Sequence, residues 1–279
     1  MEVNYQFRER MMEVHRKGRR DMAKKPTEGE LSLCNGLVLT LPKGADKVLM
    51  NAARDLEDYL FVSMGISARV AEEGSVSDGT VTVRYGVDPT ARKNSYRLTV
   101  NEGGVSLIGS DSRMAAQAGY YIEDLMNLRE APYLTYDDTV REALYLPRMA
   151  HSGYGLDMYP TEHIVALAHQ GITALLVFIK GVDTTPHGYH DFNDLCRRAA
   201  NYGVDVYAYS YLQNLKHPDD ADAEAFYEAL YGSFFDRCPL FKGIVFVGES
   251  FEFPSKDEHT TGIRRLDNKG PDGKPLVTG

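Results

Sequence analysis

The sequence predicts an α/β protein in two parts: a small α+β domain, then about four strands of a parallel sheet, either an open three-layer α/β domain or a partial (β/α)8 barrel. Three observations predict it. From residue 143 onward, apolar β-rich runs alternate with segments of helical periodicity, the rhythm of βα units around a parallel sheet. Before that point the chain carries two helical patterns, short strands and a hairpin instead. Its 279 residues exceed one average domain, yet the alternation supplies about half of the eight βα units that fill roughly 250 residues in a closed barrel.

The elements follow in order. Residues 3–23 predict a charged, weakly amphipathic helix, and 24-KKPTEGE-30 a linker. The run 31-LSLCNGLVLTLP-42 reads as strand. Over 46–65, Val48, Leu49, Ala52, Ala53, Leu56, Tyr59 and Leu60 recur at helical spacing, with Asp46 as N-cap and Gly65 as the stop. Strands follow at 67–73 and 80–86. The segment 95-SYRLTVNEGGVSLIGS-110 is a hairpin turned by Asn-Glu-Gly-Gly, and Asp111 or Ser112 caps a helix over 113–128. The first domain ends after 132-PYLTYDDTVRE-142.

In the second part, strands are predicted at 143–150, 172–181, 204–212 and 243–250, with helices at 161–171, 190–203 and 221–235. Gly171-Ile172 and Gly203-Val204 each mark a helix stop followed by a strand start. The tail 257–279 is rich in Gly, Pro and charge and carries neither pattern. The expected organisation is thus a helix and linker at 1–29, the small domain at 30–142, the partial barrel at 143–256 and an irregular tail at 257–279.

Functional residues of such sheets gather at the C-terminal strand ends, where the βα loops converge. Those ends offer Arg148, His151 and Tyr154, then Lys180 and Asp183. The third offers Tyr209, Tyr211, Gln213 and Asn214, and the fourth Glu249, Ser250 and Glu252. Tyrosines, amides and charges around a rim suit a polyhydroxylated ligand. Blander readings stand beside these: Tyr207 on a core face, Arg148 in a structural ion pair, His169 as a structural histidine on its helix. His187 and His190 lack a third ligand, so no metal site is expected there. Glu249 is in phase with Val245 and Val247, so a barrel interior would carry it to the rim. A partly desolvated carboxyl there has the raised pKa that a general acid needs.

Other classes are disfavoured. There is no G-x-x-x-x-G-K-[ST], no G-x-G-x-x-G after a strand, no H-E-x-x-H and no G-x-S-x-G, and no cofactor is expected. A net charge of −9 argues against a nucleic-acid partner. Cys34, Cys196 and Cys238 form no disulfide or zinc pattern and read as buried small apolar residues. With no apolar signal region and no run of ~20 apolar residues, the expectation is a cytoplasmic chain without a membrane partner. The open edge of a partial barrel would favour homo-oligomers.

Several stretches also carry a resemblance: 52-AARDLEDYL-60 followed by Gly65, 95-SYRLTV-100, and 104-GVSLIGSDSRMAAQAGYYIEDLM-126. Together they resemble the small α/β domain that precedes the catalytic barrel in β-hexosaminidases and α-glucuronidases, glycoside hydrolase families 20 and 67. Met114 and Ala115 stand where those families often have glycine. The stretch 143-ALYLPRMAHSGYG-155 is similar to their first barrel strand, whose arginine contacts sugar, which implies that role for Arg148. The fourth strand of hexosaminidases ends in an Asp-Glu pair; here Gly248 precedes Glu249, which departs from the acetamido-assisted pattern while leaving Glu249 at the proton-donor position.

The resemblance implies a glycoside hydrolase, or its amino-terminal portion, acting on an oligosaccharide or glycoconjugate. Glycoside hydrolysis uses two carboxyl groups, or one with a participating substrate group, and one candidate is visible. A non-catalytic carbohydrate-binding or scaffold protein is the alternative, and a sugar lyase or isomerase using Lys180 and His151 a third reading.

Overall fold

The computed structural model describes residues 3–34, 36–76, 80–151, 158–210, 215–217 and 219–246. The candidate residues Tyr154, Tyr211, Gln213, Asn214, Glu249, Ser250 and Glu252 lie outside these. The chain divides into two compact units. The first comprises 1–148, 160–173 and 200–204, and the second 149–159, 174–199 and 205–279.

In the first unit, α1 (Asn4–Met12) is followed by β1 (Glu30–Ser32), β2 (Leu37–Leu41), α2 (Lys47–Met64), β3 (Ala68–Glu72) and β4 (Thr82–Val87). Then come β5 (Ser95–Asn101), β6 (Gly104–Gly109), α3 (Ser112–Arg129), β7 (Tyr133–Thr135) and β8 (Asp137–Glu142). The main sheet has the order β3-β2-β4-β6-β5-β8, parallel from β3 to β6 and antiparallel from β6 to β8. β1 and β7 form a separate antiparallel pair.

The predicted punctuation holds. Asp46 accepts from the Leu49 amide and Asp111 from the Met114 amide, at 3.0 and 2.8 Å, so each helix starts at its expected cap. Gly65 adopts φ 66°, and the Ile66 amide reaches back to the Leu60 carbonyl, closing α2 with a left-handed turn. Leu49, Ala52, Ala53, Leu56, Tyr59 and Leu60 are buried, as their spacing requires. Tyr85 of β4 reaches up to α2, its hydroxyl donating to the Ala52 carbonyl at 3.3 Å. Gly119 of α3 makes room for it: a Cβ there would meet the Tyr85 hydroxyl at 2.4 Å. At the sheet's other margin, β8 is almost wholly exposed and carries Asp137, Asp138, Arg141 and Glu142.

Two expectations change in this unit. The first helix ends at Met12, not residue 23; Glu13 is already extended and Gly18 takes φ 73°. What overrides the helical tendency is His15, whose ring is drawn into a buried polar cluster by partners on α2 and α3. The strand expected at 31–42 is two strands with different partners, β1 on β7 and β2 in the main sheet. The first unit also includes α4 (Thr161–His169), packed on α1 and α3. Gly171, at φ 75°, stops it as expected.

The second unit holds β9 (Met149–His151), β10 (Ala174–Ile179), a small hairpin of β11 (Thr184–Thr185) and β12 (Gly188–Tyr189), α5 (Phe192–Ala200) and β13 (Asp205–Ser210). After these come α6 (Ala223–Tyr227), a π-helical turn at Glu228–Gly232, α7 (Ser233–Arg237) and β14 (Ile244–Val245). Its principal sheet has the order β14-β13-β10-β9, every neighbour parallel. The alternation read from sequence is thus a parallel sheet in sequential order.

The expected single helix at 221–235 is interrupted by the π turn. Gly232 weakens the helix there, and the wider turn stacks Tyr227 on Tyr231 at 6.1 Å. The first strand is shorter than 143–150: Leu144 and Tyr145 are exposed, Pro147 cannot donate to a ladder, and pairing with β10 starts at Met149.

Candidate functional site

Register decides which side chains share a face of the parallel sheet. His151 pairs with Leu176, Leu176 with Tyr207, Phe178 with Tyr209, and Tyr209 with Val245, so all lie on one face. The opposite face, with Leu175, Val177, Ile179, Val206, Ala208 and Ser210, is fully buried. The first face is not: Phe178, Tyr207 and Tyr209 are half-buried and His151 is exposed.

Near the strands' C-terminal ends three rings meet edge to face, His151 with Phe178 at 4.6 Å, His151 with Tyr209 at 5.1 Å, and Phe178 with Tyr209 at 4.7 Å. Of the residues expected at the strand tips, the structure therefore brings His151 and Tyr209 together. Lys180 follows β10 and is exposed, its amide bonded to the Thr184 carbonyl at 2.8 Å. Asp183 serves the fold instead. At φ 51° it accepts from the Phe192 amide at 3.0 Å, at the start of α5. Val245 sits beside Tyr209, and Glu249, four residues on, lies outside the described residues.

Arg148 is placed differently from the sequence expectation. It precedes β9 rather than ending a strand, its amide donating to Thr173 Oγ1 at 2.9 Å. In the first unit it lines a cavity of about 260 Å³ with Tyr96, Tyr121, Asp124, Arg141 and Glu142. Its guanidinium lies against Gly171, whose missing Cβ would fall 2.8 Å from Nη1, and its Nε is buried without a hydrogen-bond partner.

Sequence reasoning missed a second constellation in the first unit. His15, Asp55 of α2, Glu123 of α3 and His169 of α4 place one potential ligand atom each within 4.8 Å of one another. His169 Nε2 meets Asp55 Oδ2 at 2.6 Å, and His15 Nδ1 meets Asp58 Oδ2 at 2.7 Å. Burial by itself would lower both imidazole pKa values, but the Asp55 and Glu123 carboxylates overcome it and raise them. Burial would raise Asp55; contact with His15 and His169 lowers it instead. For Glu123, burial wins and its pKa rises. The sequence signal was faint: the four residues are scattered from the first helix region to α4 with no local spacing motif. His187 and His190 do not join such a group among the described residues; His190 packs against Tyr159 and Phe192.

Cys196 and Cys238 are buried as expected, and burial pushes the Cys196 thiol up to about 12; Cys34 is partly exposed and accepts from Arg20. Among the described residues no helix is long and apolar enough to cross a membrane.

No protein-family model matches the sequence, and no curated protein sequence matches it. Solved structures do. The chain is similar to CpGH84D, with TM-score 0.56 and 8% identity over 86% of this chain and 45% of that one. It is also similar to a GH138 enzyme targeting pectin rhamnogalacturonan II, with TM-score 0.57 and 11% identity over 75% and 38%. A third is the chitobiase FjGH20 of Flavobacterium johnsoniae, with TM-score 0.55 and 12% identity over 79% and 42%. The fold is therefore glycoside hydrolase-like, in keeping with the resemblance read from the sequence. The chain spans less than half the length of each of these structures.

Proposed function

We propose that this chain carries the amino-terminal domain and first barrel strands of a glycoside hydrolase that cleaves an oligosaccharide or glycoconjugate by general acid/base chemistry. The observation that carries the reading is a sequentially ordered parallel sheet with His151, Phe178 and Tyr209 joined at its C-terminal end. Aromatic rings at that end offer flat apolar surfaces for the C–H faces of a sugar. Lys180 supplies a hydrogen-bond donor beside them, and Tyr154, Tyr211 and Asn214 are the further contacts proposed from the sequence. Arg148 is left out of this set, because it precedes β9.

In this proposal Glu249 is the proton donor. Four residues beyond Val245, whose partner is Tyr209, a continuing strand would return it to the aromatic face. Desolvation there would keep its carboxyl protonated near neutral pH, ready to protonate the leaving oxygen. The second carboxyl group, or a participating substrate group, would come from outside these four strands.

The test is Glu249→Gln in the complete polypeptide, assayed on aryl glycosides of N-acetylhexosamines and of uronic acids. Loss of a general acid costs about a hundredfold or more in turnover. Turnover within a few-fold of the unaltered enzyme would remove Glu249 from the mechanism.

A further inference from the structure

We propose that His15, Asp55, Glu123 and His169 form a binding site for a divalent cation of the zinc class. The site lies wholly within the first unit and is independent of the carbohydrate reading.

The donor set is two imidazoles and two carboxylates, which suits zinc. The spacing fits as well. With metal–ligand bonds of about 2.0–2.1 Å, neighbouring ligand atoms of a tetrahedral site lie roughly 3.3 Å apart. His15 Nε2 is 3.6 Å from Asp55 Oδ2 and 3.6 Å from Glu123 Oε2, and His169 presents its Nε2 to Asp55 Oδ2. One contact is too close for this: the 2.6 Å pair between His169 Nε2 and Asp55 Oδ2 must open by about 0.7 Å, within reach of a side-chain rotation.

A second observation points to something bound. His15 Nε2 and Glu123 Oε1 are buried without a hydrogen-bond partner, on side chains only 8% and 4% exposed. Asp58 holds the other nitrogen of His15, which is how metal-ligating histidines are commonly oriented by a carboxylate outside the site. With Nδ1 donating to Asp58, a neutral His15 would direct its Nε2 lone pair towards two carboxylates. That arrangement is unfavourable unless positive charge lies between them. Two protonated imidazoles would balance the carboxylates but leave the buried atoms unpaired; one dication balances both and uses His15 Nε2 as a ligand. His169 also lines the first unit's cavity, which gives an ion a way in.

The ligands come from the segment after α1 and from α2, α3 and α4, so bound metal would tie four parts of the unit together.

The experiment is calorimetric titration of the full chain, stripped with chelator, with zinc chloride near neutral pH. One Zn²⁺ per chain is expected, with a rise in Tm that chelator reverses. His15→Gln should abolish the stoichiometric binding. Asp58 is exposed and touches no metal, so Asp58→Asn should fold normally and weaken binding by about 10–100-fold at the same stoichiometry. If His15→Gln does not fold, Asp58→Asn decides alone. No stoichiometric binding by the unaltered chain, or an unchanged Kd in Asp58→Asn, overturns the proposal.

Discussion

Replacing Glu30 by Gln should destabilise the protein at neutral pH and much less in acid. Glu30 lies in β1, its side chain 7% exposed, and accepts from Arg129 Nε at 2.7 Å and Nη2 at 3.2 Å. The Thr27 amide adds a third bond at 2.7 Å. The Arg129 guanidinium beside it is the main cause of a pKa lowered from 4.5 to about 2, against an opposing push from burial. Converted directly at 1.36 kcal/mol per unit, the shift sets a ceiling of about 3.4 kcal/mol. Arg129 is 28% exposed and the pair sits at the surface, so solvent screening brings the expectation to about 1–2 kcal/mol.

The sign follows from proton binding. The unfolded chain holds the Glu30 proton more tightly, so the contribution is complete above about pH 5 and is lost as the pH falls through the folded value. Roughly two-fifths of it should remain at pH 3. The chain has no tryptophan, so urea unfolding is best followed by circular dichroism. Stabilities of the unaltered chain and Glu30→Gln, measured at pH 7, 5, 4 and 3, should converge towards acid. Because both proteins share every other titrating group, their difference isolates Glu30. A difference that stays constant across the series would refute the assigned ion pair.

Other outcomes follow from the same geometry. Gly119→Ala should cost about 1–3 kcal/mol in chemical denaturation, because its Cβ would fall 2.4 Å from the Tyr85 hydroxyl in a packed core; a neutral result would mean that Tyr85 can move aside. Tyr59→Phe should cost about 1–2 kcal/mol, since the Tyr59 hydroxyl bonds both the Glu123 carbonyl and Asn127 Oδ1 at 3.1 Å. Gly65→Ala should destabilise by about 1 kcal/mol through its left-handed φ of 66°. Under the proposed function, Tyr209→Ala in the complete enzyme should raise KM by roughly tenfold, with the thermal transition measured alongside to separate lost binding from lost packing.

Much of the fold was legible because it rests on short-range chemistry. Asp46, Asp111, Gly65 and Gly171 act through their own or adjacent backbone, so their meaning survives in the linear string. The parallel order β9, β10, β13, β14 was likewise visible in the alternation of apolar runs. What escaped was long-range. The helix expected through residue 23 gives way because His15 finds Asp55, Asp58 and Glu123, all far along the chain on α2 and α3, and no local pattern announces that. Arg148 reads as a strand tip because the apolar run before it looks like a strand. Only the pairing of Met149 with Ala174 shows where the ladder begins. Cys196 and Cys238 were readable because a small apolar side chain needs only to be buried.

The charged margin of the six-stranded sheet bears on how the protein behaves in a crowded solution. A sheet's last strand offers unpaired backbone groups to any passing strand, and the usual outcome is stacking of one molecule on another. On β8, Asp137, Asp138, Arg141 and Glu142 crowd that approach, and Arg97 of the neighbouring strand clasps Asp138 through two 2.6 Å bonds. Any incoming strand would have to bring charges beside these carboxylates or strip them of water. Valine or threonine at those positions would leave the fold's interior untouched while turning this margin into a template for aggregation. At this margin of the sheet, the barrier to strand addition therefore rests on one short strand that contributes almost nothing to the core.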